Sequence, residues 1–196
     1  MSIVENFGRN ISFAPASIQS PRRIDELQEL VRRSRSIRVM GSKHSWSHAI
    51  VTDDTLVSLE HMNQVLSIDR NALRMTAQAG TPLRDAIVAL EAEGLTLANL
   101  GSIADQTLAG AISTGTHGTG RHFGCLAEQV EAIKLVDGTG ELRVLERGEE
   151  DFDAAIIGLG CFGIVVEMTL SVVPCFRLHT ISETLPFDEV IHRFDE

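Results

Sequence analysis

Two histidines stand four residues apart in "GSKHSWSH", with Ser45, Trp46 and Ser47 between His44 and His48. An imidazole can act as a metal ligand, a general base or a nucleophile, and i, i+4 spacing puts two ligands on one face of a helix. A zincin helix needs Glu directly after the first histidine, and this chain has Ser45. The preceding "IRVMGSK" reads as a strand entering a Gly-Ser loop, so a helix is not implied. A Ser/His/Asp arrangement has no GxSxG elbow to support it. A structural or solvated loop histidine remains the bland alternative. His61, His122, His179 and His192 have no motif around them and read as structural.

The second chemical feature is "GSIADQTLAGAISTGTHGTG", residues 101–120. It holds Gly101, Gly110, Gly115, Gly118 and Gly120, with hydroxyls at Ser102, Thr107, Ser113, Thr114, Thr116 and Thr119. No Lys or Arg lies between Arg84 and Arg121. Small residues let main chain approach a ligand closely, and successive N–H groups can then solvate an anion. Hydroxyls add donors without bulk. The segment is suited to wrapping a diphosphate, although GxxxxGK[ST] has no match. His117 lies inside it, where its backbone counts for more than its ring. A flexible surface loop is the alternative reading, against which the apolar "LAGAI" argues. "GLGCFG" at 158–163 spells GxGxxG, but a helix-like segment precedes it and a strand follows. That order is the reverse of a dinucleotide fingerprint. These glycines read as a corner that lets the chain pass close to a ligand.

The elements that must carry these segments announce themselves by caps and periodicity. "SPRRIDELQELVRRS" predicts a helix with Ser20 as N-cap, Pro21 first, and Ile24, Leu27, Leu30 and Val31 inward. "TPLRDAIVALEAEG" repeats the design with Thr81 as cap, Pro82 first, Leu83, Ile87 and Leu90 inward and Gly94 as stop. Strands are predicted at 37–40, 55–58, 65–68 and 73–79, with a hairpin turning at Asp137-Gly138 and a long strand over 163–173. The fold class is α+β in two lobes, about 7–75 and 76–180, the second built on antiparallel strands. Apolar spacing at Phe187, Val190, Ile191 and Phe194 begins an amphipathic helix, so 181–196 reads as the opening of a further domain.

The 196 residues have ordinary globular composition and a net charge of −10. Such a surface repels phosphodiesters and anionic lipid, so nucleic acid and membrane are not expected partners. Any phosphate must be met by local dipoles and placed side chains. Cys125, Cys161 and Cys175 form no CxxC pair, and the N-terminus lacks a secretory pattern. A soluble, cytoplasmic protein is expected.

Read in order, "GSKHSWS", "LVSLEHMNQVLSID", "AGTPLRDAIVALEAEGLTLANLGS", "GAISTGTHGTG" and "GLGCFGIVVEMTLSVVP" resemble one family from about residue 7 to 180. It is the PCMH-type FAD-binding domain of the vanillyl-alcohol oxidase / p-cresol methylhydroxylase flavoproteins, with the sugar-lactone and alditol oxidases as the most similar branch. The resemblance implies FAD held between two α+β lobes, and oxidation of a C–OH group of a polyol or sugar lactone by hydride transfer to flavin. An isolated FAD-binding module without activity is the second reading. In that branch the histidine of the G-x-x-H-S motif carries the flavin through its 8α-methyl group, and the matching residue here is His44. Met40, Gly41, Ser42 and Lys43 would line the same turn, with Ser45 and Trp46 beyond. Ser102, Thr107, Gly110, Ser113, Thr114, Thr116, His117 and Gly118 would meet the ring and diphosphate. Gly163, Ile164 and Val165 would pack near adenine or ribitol. Bicovalent relatives add a cysteine just before the diphosphate segment; "GSIAD" has none, so a single bond is implied. The substrate site and catalytic side chains would come from the chain's own C-terminal substrate domain.

Overall fold

The computed structural model describes residues 3–193. At the N-terminus β1 (Val4–Glu5) and β2 (Ser12–Phe13) pair as a small hairpin. Next come β3 (Ser17–Gln19), α1 (Ile24–Arg33), β4 (Ile37–Met40) and β5 (Thr55–Ser58). After β6 (Val65–Asp69) and β7 (Arg74–Gln78) follow α2 (Leu83–Ala92), β8 (Leu95–Thr96) and α3 (Leu108–Ser113). The hairpin of β9 (Val130–Val136) and β10 (Leu142–Glu146) precedes α4 (Phe152–Ile156). The last elements are β11 (Ile164–Ser171), β12 (Val173–Pro174) and α5 (Phe187–His192).

Two sheets organise them. β3, β5 and β4 form a three-stranded parallel sheet in that order, and β10-β9-β11-β7-β6 form a five-stranded antiparallel sheet. β11 alternates strictly between buried and half-buried residues, the period-two signature of a strand with one face in a core. The mixed α and β content with an antiparallel main sheet agrees with the α+β expectation. The boundary expected at about residue 75 does not coincide with the sheets: β6 pairs with β7 from Val65 onward and so belongs to the larger sheet.

The core has two parts. Met75, Leu83, Leu90, Leu108, Ile112, Ile133, Phe152, Met168 and Leu170 form the larger, between the five-stranded sheet and α2, α3 and α4. Leu27, Val31, Val57, Met62, Val136, Ile164 and Val166 form the smaller, where α1 joins both sheets. Gln28 Nε2 and Arg32 Nη2 reinforce that junction by donating to the Gly140 carbonyl at 2.8 and 2.9 Å. Burying each large side chain contributes about 1.5–3 kcal/mol before entropy is counted.

Both expected helix caps are corrected. α1 starts at Ile24 behind Arg23, without a side-chain cap, while Glu26 Oε2 accepts from the Arg22 N–H at 2.8 Å. Ser20 Oγ instead donates to Glu60 at 2.5 Å. α2 has Pro82 at its N-cap, and its first donors are met from across the fold: Leu83 N–H donates to Gln106 O at 2.9 Å and Arg84 N–H to Ala104 O at 3.0 Å. Tertiary acceptors replace the side-chain cap there. Ala86 rather than Ile87 takes the fully buried place on α2, whereas Gly94 ends the helix at φ +70° as expected. α5 forms at Phe187, but none of its residues is buried, and Phe194 lies outside the described residues.

Candidate functional site

The chain leaves the small sheet at Met40 and turns through Gly41–Trp46. A Cβ on Gly41 would run into the Thr107 hydroxyl, so this position needs glycine for the loop to meet the start of α3. Lys43 has φ +61°, an uncommon left-handed conformation outside glycine. The N-terminal hairpin holds it: Phe7 N–H donates to Lys43 O at 2.8 Å, and Asn6 Nδ2 donates to Ser45 O at 2.9 Å. Asn6 is itself buried, and its Oδ1 accepts from Ile11 N–H at 3.1 Å. The half-buried His44 ring stacks on Phe7 with centroids 4.8 Å apart and planes 26° from parallel.

His48 is not on a helical face with His44. It opens a single 3-10 turn, His48–Ile50, whose Ser47 cap accepts from Ala49 N–H at 3.4 Å. Among the described residues no group of three His, Cys, Asp or Glu side chains stands where a metal ion could be held.

A cavity of about 920 Å³ opens along the seam between the two sheets, near the upper end for small-molecule sites. Met40, Gly41, Ser42, Lys43, His44, Ser45 and Trp46 form one wall. Ser102, Thr107, Gly110, Ser113, Thr114, Thr116 and His117 form another, and Gly163 and Val165 lie across from them. Two expected residues do not line it. Ile164 is 5% exposed and packs in the smaller core. Gly118 packs instead against Asn99 and Leu100. Phe7, Glu60, Asn63, Gly80, Gln106 and Phe162 were not anticipated at the site and line the cavity as well. They come from strand ends and turns brought in by the fold, and only the "GLGCFG" corner carried a local signal. Cys125 is not among the lining residues.

The donor set suits an anion without a positive field. Apart from the histidines, Lys43 and Glu60 are the only charged residues lining the cavity among those described. Thr107 Oγ1 accepts from Gly110 N–H at 3.3 Å, and Thr116 Oγ1 accepts from Gln106 Nε2 at 3.2 Å. Each hydroxyl therefore keeps its proton for a ligand. Thr114 differs, since its Oγ1 donates to Gly110 O at 2.9 Å. Gly163, at φ +138°, abuts the main chain of β9, so no side chain intrudes from that corner. Phe162, Leu159 and Ile103 add flat or branched apolar surface. Diphosphate donors beside apolar walls are what a flavin dinucleotide requires, and the cradle fits it.

Residues 15–146 match the FAD binding domain family. L-gulonolactone oxidase of Scyliorhinus torazame is 34% identical over 197 residues, covering 97% of this chain and 45% of that protein. D-arabinono-1,4-lactone oxidase of Eremothecium gossypii is 36% identical over 203 residues, covering 98% of this chain and 38% of that protein. The chain thus spans under half the length of these relatives. The crystal structure of cholesterol oxidase from B. sterolicum superposes with a TM-score of 0.79 at 20% identity, over 88% of this chain and 36% of that one, a likeness of fold. By its sequence match and its PCMH-type fold, the chain belongs to the FAD binding domain family.

Proposed function

We propose that this chain is the cofactor domain of an oxidoreductase that removes hydride from a C–OH group of a sugar lactone or polyol, with FAD joined to His44. The observation that carries the reading is the neutral cavity, in which the His44 loop and the 101–117 segment face the same space. When bound, FAD supplies the hydride-accepting ring. The Thr107 and Thr116 hydroxyls, each accepting one bond and keeping its own proton, would hold the diphosphate. The small residues Gly41 and Gly110 let the main chain come near. Ile164 supports the wall from behind, by packing rather than by contact.

His44 would act as the nucleophile that holds the flavin through one ring nitrogen at its 8α carbon, a two-electron oxidation for which dioxygen would be the acceptor. A single bond is expected, because "GSIAD", where bicovalent relatives carry a cysteine, has none. The substrate is bound by a C-terminal domain of the full-length protein, consistent with the longer relatives, and this chain alone is inactive. The free Cys125, Cys161 and Cys175 support a reducing compartment such as the cytoplasm.

The test is denaturing electrophoresis of the purified protein. Flavin fluorescence is expected to migrate with the polypeptide, and His44→Ala is expected to release it while keeping reversible FAD binding. Fluorescence retained by His44→Ala refutes the assignment. Turnover of sugar lactones or polyols by this chain alone would refute the need for a second domain.

A further inference from the structure

We propose that Phe7 is a positioning residue for His44, setting how fast flavin becomes attached; the inference rests on the reading of His44 as the attachment point. The N-terminal hairpin grips the 43–46 turn at four successive points. Phe7 N–H holds Lys43 O at 2.8 Å, and the buried Asn6 holds Ser45 O at 2.9 Å. Gly8, having no Cβ, lets the Trp46 ring lie against its backbone, where an alanine methyl would overlap the indole. The Phe7 ring covers one face of the His44 imidazole at 4.8 Å, within the range of offset stacking.

Phe7 is 66% exposed, so this ring is not a core residue. It stands at the cavity rim beside the one side chain whose orientation matters to the chemistry. Stacking occupies the ring face and leaves both nitrogens uncovered, because their lone pairs and N–H bonds lie in the ring plane. It also restricts rotation about the Cβ–Cγ bond, so the ring of this cavity-lining histidine is held in one orientation before any ligand arrives. Preorganisation of this kind acts on the rate of bond formation, and a misplacement of about 1 Å is enough to slow a reaction about a hundredfold. The left-handed Lys43 fits the same account: the turn is held in an uncommon conformation by contacts from outside it.

The experiment prepares the full-length protein without flavin, adds FAD in air, and follows protein-linked fluorescence on denaturing gels together with intact mass. Reversible FAD affinity is measured separately for each substitution in the His44→Ala background. Phe7→Leu keeps the apolar bulk and the main-chain bond but loses the flat face; attachment is expected to slow by about ten- to a hundredfold, beyond any change in reversible FAD affinity. Phe7→Tyr restores the wild-type rate. Attachment by Phe7→Leu at the wild-type rate, or a slowing matched by an equal loss of FAD affinity, overturns the proposal and leaves His44 as the carrier. Absence of protein-linked flavin in the wild type overturns both.

Discussion

Gly163→Ala is a sharp test of how the cavity wall is built. Gly163 has φ +138°, and a Cβ there would meet Asp137 Cα at 2.9 Å and Leu135 Cδ1 at 3.0 Å, besides overlapping the Val136 carbonyl. None of these is the free end of a flexible side chain: two are main chain of the β9 hairpin, and Leu135 is 1% exposed. The backbone strain is about 1–3 kcal/mol, and forcing β9 aside adds about 1–3 kcal/mol. A total near 3 kcal/mol corresponds to about 6–12 °C in Tm for a chain of this size. Two other glycines separate the contributions. Gly148 has φ +99°, and a Cβ there meets nothing within 4 Å among the described residues, so alanine meets the strain alone, about 1 kcal/mol. Gly138 has open space and no left-handed φ, so alanine costs nothing and gains a few tenths of a kcal/mol from the unfolded state. Thermal unfolding by circular dichroism of the three proteins without flavin gives the comparison. If Gly163→Ala melts no lower than Gly148→Ala, the steric account of this wall is wrong.

Other substitutions probe parts of the fold that support the site. Thr81 is fully buried and its Oγ1 has no partner among the described residues; Thr81→Val removes that hydroxyl and is expected to stabilise by about 1–2 kcal/mol in urea unfolding, an unchanged midpoint being the contrary result. Lys134 Nζ donates to Glu167 at 2.6 Å between β9 and β11, and Glu167 is 16% exposed on its side chain; Lys134→Met is expected to cost about 1–2 kcal/mol by the same measurement. At the β9–β10 turn the Thr139 hydroxyl, donating at 2.6 Å, is the main cause holding the Asp137 carboxyl below its ordinary 3.8, helped by the Thr139 and Glu141 N–H groups. Because the folded value is the lower one, this stability is complete above pH 3.8 and is lost as pH falls through the folded value. Thr139→Val should move the Asp137 midpoint upward in an NMR titration; identical midpoints would show that the hydroxyl does not matter.

Much of the cavity wall was legible because its composition is written in residue types. A run rich in glycine and hydroxyls, without a single cation from Arg84 to Arg121, signals main-chain solvation of an anion wherever it sits. His44 was placed in a loop by the strand and the Gly-Ser that precede it, and there it lies. The helix starts were less legible. Ser20 and Thr81 have the composition of caps, yet Ser20 turns to Glu60, and α2 finds its acceptors at Ala104 and Gln106.

By itself the sequence determined the local periods: the alternation of β11, the apolar stripe of α1, the stop at Gly94 and the absence of Lys and Arg from the glycine-rich segment. These depend on neighbours within a few residues, where covalent geometry leaves little choice. Tertiary structure alone decided that β3, β5 and β4 run parallel, that β6 joins the larger sheet, that Ile164 faces a core, and that Phe7 lies on His44. Such pairings join residues distant in the sequence, and their free energy is set by burial and by partners that no local pattern names.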